Sequence, residues 1–183
     1  MKQIRRWIAL FTLGLSVALP APIPAQKTAP ASVSARAFSK KEGNKYPTVD
    51  MRGGKRGEEK TGEVIYLNST QREERRIAIE KGLVYDHTGK PVPDTRSSHK
   101  NQNNYVMDAA GNFYLFDEFT VHSIRHSSIF AGGPVAGAGN LVIKQGRIVY
   151  IDSSSGHYPS KPLFANVLKE LSACGVDTAG ISK

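Results

Sequence analysis

The sequence predicts an α+β domain, an antiparallel sheet built of hairpins with a C-terminal helix packed on one face. Two predicted hairpins are the main observation: residues 105–116 and 141–151 each contain two apolar runs that are separated by a short turn. Apolar residues at helical spacing within residues 160–174 are the other observation. A helix with one apolar face needs a sheet to cover, so the two observations predict one layered domain.

Shorter elements precede the hairpins in the chain. Asn68 or Ser69 provides a polar cap for a short helix at residues 70–76. Apolar residues then alternate on both sides of a turn at Lys81-Gly82, which favours two strands within residues 77–85. Residues 91–104 are polar without a period, which is typical of a surface loop. At the C-terminal helix, Pro162 lies in the first turn and Gly175 ends it.

Composition divides the 183-residue chain into three parts. Residues 1–25 combine a basic start, a short apolar run and a small-residue end, the pattern of a secretory signal peptide cleaved after Ala25. The alternative is a retained anchor, but the apolar run is shorter than the ~20 residues that a membrane span needs. Residues 26–60 predict a flexible basic linker, and residues 61–183 a single domain. The chain is therefore predicted to be exported, periplasmic or secreted, without a transmembrane span after signal removal.

The net charge of +9 does not indicate nucleic-acid binding by the domain, because most of it lies outside the domain. Counted by part, the charge is +3 in residues 1–25, +5 in residues 26–60 and +1 in residues 61–183. Nucleic-acid binders usually carry a basic patch on the folded domain itself. Cys174 is the single cysteine, so the fold contains no internal disulfide.

Two short segments beside predicted strands combine histidine with hydroxyl groups. They are the HSS segment (His126, Ser127, Ser128) and the SGHY segment (Ser155, Gly156, His157, Tyr158). An imidazole can accept a hydroxyl proton near neutral pH, so both histidines, the three serines and Tyr158 are candidate catalytic residues. The alternative interpretation is structural: residues 153–156 turn the last strand into the helix, and His157 and Tyr158 pack against the core.

Other polar or glycine-rich features give weaker signals. His122 and His126 have the spacing of zinc ligands on a helix, but on a strand they would lie ~13 Å apart, and no third ligand stands at a recognisable distance. No metal site is therefore predicted, and the cofactor is unknown. The glycines of residues 132–139 lack the lysine of a phosphate loop and indicate close backbone packing. Asp117 and Glu118 are either a solvated loop or a general base.

The order of these motifs resembles two families of proteins. HSS, a small-residue stretch, a hairpin and SGHY follow one another within residues 63–178. This order resembles the C-terminal module of bacterial polymorphic and secreted toxin-like proteins, and that of the plant IQ-motif calmodulin-binding family. The bacterial resemblance implies a toxin-like effector whose partner is an immunity protein or a target protein. Calmodulin binding in the plant family depends on an upstream IQ motif, and this sequence shows none.

Two functions stay open at this stage. The first is an exported bacterial effector or toxin-like domain with a small polar pocket formed by HSS and SGHY. Whether this domain is an enzyme stays open; the activity considered is that of a transferase or hydrolase acting on a nucleotide-like or other small substrate. The second is a non-catalytic periplasmic or extracellular binding module. Both require the two segments to meet in one hollow that solvent can reach.

Overall fold

A computed structural model describes residues 34–52, 64–95, 103–117 and 124–181 of the protein. The predicted signal peptide, His122 of the predicted histidine pair and Glu118 of the acidic pair lie outside the described residues. No helix within the described ranges is long and apolar enough to cross a membrane.

The described residues form short helices and the strands of one sheet. In chain order the elements are α1 (Ala35–Phe38), α2 (Ser69–Glu73), β1 (Arg76–Glu80), β2 (Leu83–Tyr85), β3 (Asn103–Met107), β4 (Phe113–Phe116), β5 (Gly137–Lys144), β6 (Arg147–Ile151) and α3 (Phe164–Ala173). A 3-10 turn at His126–Ser128 precedes β5, and another at Lys161–Leu163 leads into α3.

Local sequence signals explain several of these boundaries. The Asn68 side chain accepts a hydrogen bond from the Gln71 N–H at 2.9 Å, and the Gln71 side chain accepts one from the Asn68 N–H, so α2 begins with a capping box. The turn between β5 and β6 places Gln145 and Gly146 at φ values of 51° and 72°. Two successive positive φ values define the tight turn that matches the twist of paired strands, and glycine adopts this region without strain.

The six strands form one antiparallel sheet in the order β2-β1-β4-β3-β5-β6. The antiparallel sheet, both predicted hairpins and the C-terminal helix are thus confirmed, whereas the described residues are mostly β with little helix, which agrees with the predicted α+β class only broadly. One strand differs from the prediction, because β5 begins at Gly137, inside the glycine-rich stretch, and not at Leu141. Because glycine has no side chain, the backbone of Asp152 and Ser153 can approach this strand closely at Gly139.

Both faces of the sheet are buried. Tyr105 and Met107 belong to the apolar cluster that includes Val167 and Leu171 of α3, so the helix covers this face, as predicted. Val106, between them, belongs to a second cluster on the opposite face. That face is covered by Tyr158, as in the structural interpretation of the SGHY segment, and by residues 124–135. The sequence did not predict the cover by residues 124–135, because they have no apolar period.

An N-terminal arm, residues 34–52, lies against the domain within the stretch for which composition predicts a flexible linker. Its backbone bonds run along its length: the Lys41 N–H donates to Asn112 Oδ1 at 2.8 Å, Val49 bridges Val135, and the Arg52 N–H donates to the His157 carbonyl at 2.8 Å. Backbone contacts at such scattered positions leave no apolar period in the sequence, although Tyr46 and Met51 of the arm are buried in the two apolar clusters.

Candidate functional site

The HSS and SGHY segments meet at one concavity that is open to solvent. Its volume is about 740 Å³, which is within the usual range for small-molecule sites. Of the predicted site residues, the structure brings together His126, Ser155, His157 and Tyr158 at its wall, with Gly156 beside them. Ser127 and Ser128 do not line it, since both are fully buried behind His126.

His126 is held in a fixed protonation state. The ring is 7% exposed and packs edge-on against Phe116, with the two ring centres 5.5 Å apart. Its Nε2 lies 3.0 Å from the Gly139 carbonyl oxygen. Because a carbonyl only accepts, we assign the proton to Nε2. Burial lowers the pKa of His126 to about 4, so the ring is neutral near pH 7 and Nε2 is engaged in donating.

The serines of the HSS segment support the turn behind the concavity. Ser128 Oγ accepts a hydrogen bond from the Arg125 N–H at 2.9 Å, which closes the first turn of the 3-10 segment. The Ser127 carbonyl accepts the Gly132 N–H at 2.9 Å. These bonds hold Ser127 and Ser128 in the 3-10 turn and fix the orientation of His126 at the wall of the concavity.

The SGHY segment forms a compact turn after β6. Ser155 Oγ accepts the Tyr158 N–H at 3.2 Å, and the Tyr158 hydroxyl donates to the Gly133 carbonyl at 2.8 Å. Ser160, two residues later, donates its hydroxyl to the Ala138 carbonyl at 2.6 Å. For Ser155, Tyr158 and Ser160 this geometry agrees with the structural interpretation of the segment, because their polar groups bond to one another and to the neighbouring backbone.

Asp152 is the one carboxylate among the described residues of the wall. Its oxygens accept hydrogen bonds from the Asn140 backbone N–H at 2.8 Å, the Tyr150 hydroxyl at 2.9 Å and the Ser154 backbone N–H at 2.9 Å. The Asn140 side-chain amide adds a further pair of bonds at 3.2 Å. The carboxylate therefore orders the loop after β6.

Three cationic side chains of the wall were missed by the sequence analysis: Arg52, Arg125 and Lys161. They come from the N-terminal arm, the segment before the 3-10 turn and the segment before α3. No motif joins positions so far apart in the chain, and Arg52 lies in a stretch whose composition predicts a linker. Within the described residues, no group of three or more His, Cys, Asp or Glu side chains is placed to hold a metal ion.

The fold and this wall define a small α+β domain with a polar, partly basic concavity. The sequence model described as the IQ motif-containing protein middle domain matches residues 71–164, and the chain belongs to this family. The match includes the strands β1 to β6, the HSS segment and the SGHY segment, and thus most of the wall described above.

Curated relatives come from the plant Arabidopsis thaliana. The IQ domain-containing protein IQM2 is 26% identical over 121 residues, which are 64% of this chain and 20% of the relative. IQM1 is 26% identical over 66% of this chain and 24% of its own length, and IQM3 is 30% identical over 66% and 27%. The chain thus spans about a fifth to a quarter of these relatives. No solved structure is significantly similar to it.

These relatives correct the first of the two functions. The prediction of an exported bacterial effector or toxin-like domain is wrong, because the matched family is that of plant IQ domain-containing proteins. The resemblance to that plant family is confirmed, whereas nothing supports the toxin module or an immunity protein. The predicted periplasmic or secreted location, and the signal peptide as a sign of export, conflict with the same relatives and are corrected with it.

Proposed function

We propose that the chain is a non-catalytic binding module and that its ligand site is the concavity between the HSS and SGHY segments. The observation that carries this proposal is the convergence of the two segments, about 30 residues apart, on one open wall. A wall with few, fixed polar groups and a volume of about 740 Å³ is suited to hold a ligand in one orientation.

The state of the histidine argues for binding without chemistry. A general base near neutral pH needs a pKa close to the working pH. The pKa of His126 lies near 4 because the ring is buried, so it is a weak base at neutral pH. Ser155 likewise uses its oxygen to accept a backbone N–H within its own turn. These groups are therefore better suited to shape the wall than to transfer protons.

Calmodulin is the target protein that the family suggests, since IQ motifs bind calmodulin in the plant family. Calmodulin commonly binds a helix that offers an apolar face. In the longest helix of the described residues, α3, Val167 and Leu171 are fully buried against the sheet. We therefore place the ligand site of this domain at the concavity, and calmodulin serves as a comparison probe in its test.

The test is a fragment screen followed by amide NMR shifts, with the fragment spectra recorded over hours. We expect shifts that cluster at Ser153–Ser155 and His157, and fragments that stay chemically unchanged. A Ser154→Trp variant fills the mouth of the concavity and should abolish these shifts, whereas Ser172→Trp, on the exposed end of α3, should retain them. Turnover of a bound fragment, shifts centred on α3 with calmodulin, or equal binding by both variants would each overturn the proposal.

A further inference from the structure

The wall of the concavity gathers positive charge from distant parts of the chain. Arg52 arrives on the N-terminal arm, and its N–H donates to the His157 carbonyl at 2.8 Å. Lys161 arrives from the other end of the domain, at the turn before α3. Both side chains line the same hollow, and both residues are exposed. Arg125 lines it as well.

The charge of the wall is not balanced by its own carboxylate. Asp152 accepts its hydrogen bonds from Asn140, Tyr150 and Ser154 and forms no ion pair with Arg52 or Lys161 among the described residues. The two exposed cations, Arg52 and Lys161, therefore outnumber the carboxylate of the described wall. Like charges held at one site cost free energy, and an anionic ligand removes that cost.

The uncharged residues of the wall indicate to which kind of molecule the anionic group of the ligand is attached. Ser153, Ser154 and Ser155 follow one another along the rim, and their hydroxyl groups can exchange hydrogen bonds with the hydroxyls of a ligand. Apart from the imidazoles, the one aromatic side chain of the described wall is Tyr158, which is 1% exposed. A nucleobase would need an open aromatic face for stacking, which Tyr158 does not offer.

We infer that the ligand of this concavity is a small phosphorylated polyol of the sugar phosphate class, with its phosphate held between Arg52 and Lys161 and its hydroxyls against the serine rim. This inference rests on the proposed function and names its ligand class. Near neutral pH a phosphate monoester carries close to two negative charges and offers three acceptor oxygens, which matches two cations that approach from different sides.

The experiment is calorimetric titration of the full chain at low ionic strength, where charge attraction is least screened. The probes are glucose 6-phosphate, glucose, inorganic phosphate and adenosine monophosphate. We expect glucose 6-phosphate to bind most tightly, inorganic phosphate and adenosine monophosphate more weakly, and glucose not at all. Equal binding of glucose and glucose 6-phosphate would show that the site does not recognise the phosphate and would contradict the inference. Tighter binding of adenosine monophosphate would overturn the polyol, and tighter binding of inorganic phosphate would mean that the anion alone is recognised.

Matched variants locate the site. Lys161→Gln and Arg52→Gln should each weaken glucose 6-phosphate about tenfold, the effect of losing one charged hydrogen bond, while Lys169→Gln on the exposed side of α3 leaves it unchanged. Thermal unfolding without ligand should show that neither wall variant is less stable than the parent protein. Equal loss in all three variants would contradict the site. If no phosphate ester binds but the fragment screen still finds ligands at the rim, the inference fails and the proposed function stands.

Discussion

At the scale of single residues, Gly139 joins the two segments of the site. Its carbonyl accepts a hydrogen bond from His126 Nε2, and its Cα faces the backbone after β6. A Cβ at this position would clash with the Asp152 carbonyl oxygen and lie 2.9 Å from the Ser153 Cα. The backbone of Asp152 and Ser153 cannot withdraw as a flexible side chain would, so only glycine allows this approach.

The Gly139→Ala variant should therefore lose about 3 kcal/mol of unfolding free energy, near the upper end of the usual cost of overpacking. Gly156→Ala is the matched control, because a Cβ there meets nothing within 4 Å. It should change the stability by less than about 0.5 kcal/mol. Urea unfolding of both variants measures the difference, and similar stabilities would show that the close approach at Gly139 does not constrain the fold.

The buried imidazole of His126 predicts a dependence of stability on pH. Burial lowers its folded pKa to about 4 from an ordinary value of 6.5, so between these values the unfolded chain binds a proton that the folded protein does not. The neutral His126 ring contributes its full share to the free energy of unfolding above pH 6.5. As the pH falls towards 4, about 2 to 3 kcal/mol of this free energy is lost. In His126→Gln the free energy of unfolding should fall less between neutral pH and pH 4.5. Parallel pH profiles of the two proteins would contradict the assignment.

At the scale of elements, the arm of residues 34–52 is fastened to α3 through one carboxylate. Glu170 accepts hydrogen bonds from Lys41 at 2.6 Å, from Lys45 at 2.5 Å and from the Tyr46 hydroxyl at 2.6 Å. Burial alone would raise the pKa of Glu170, but these three donors lower it to about 2. The arm thus brings two cations to a carboxylate whose side chain is 3% exposed.

Glu170→Gln should release part of the arm and cost about 1 to 3 kcal/mol, less than a fully buried pair because both lysines remain solvated. The control is Asp94→Asn, which weakens the exposed pair with Lys144 outside the arm and should cost up to about 1 kcal/mol. Limited proteolysis within residues 34–52 and urea unfolding read out the two effects. Equal protection of the arm in both variants would show that Glu170 does not fasten it.

The predictable elements were those with a local pattern. The β5–β6 hairpin follows from alternation around Gln145-Gly146, and α3 from apolar residues at helical spacing before Gly175. The position of the arm could be predicted only in part: Tyr46 and Met51 are apolar residues that join the core, but the remaining contacts join backbone groups and lysines to partners some 70 or more residues away. The sequence predicts that HSS and SGHY must meet if they form a site. It does not predict that Arg52 and Lys161 join them, because only the tertiary fold brings these two residues to the concavity.

At the scale of the whole molecule, the strand order predicts how the domain opens. Strands β4 and β3 are central, with apolar clusters on both faces, whereas β2 and β6 lie at the two edges of the described sheet. Central strands exchange their amide protons only when the domain unfolds, while edges and attached segments open locally. The arm places Tyr46 and Met51 in the two apolar clusters, but its hydrogen bonds to the domain are scattered and form no regular ladder, so we expect it to open at a lower free energy than the sheet.

Native-state hydrogen exchange should therefore give three levels of protection. The Val49 amide, which donates to the Val135 carbonyl, should exchange first, then amides of β2, and last the amides of Tyr105 and Val106 in β3. Added urea should accelerate the β3 amides with the full slope of global unfolding and the Val49 amide hardly at all. Because Arg52 ends the same arm, a ligand at the concavity should slow Val49 more than Tyr105. If Val49 and Tyr105 exchanged at one common free energy, the arm would be part of the cooperative core and not a separately opening element that the ligand fastens.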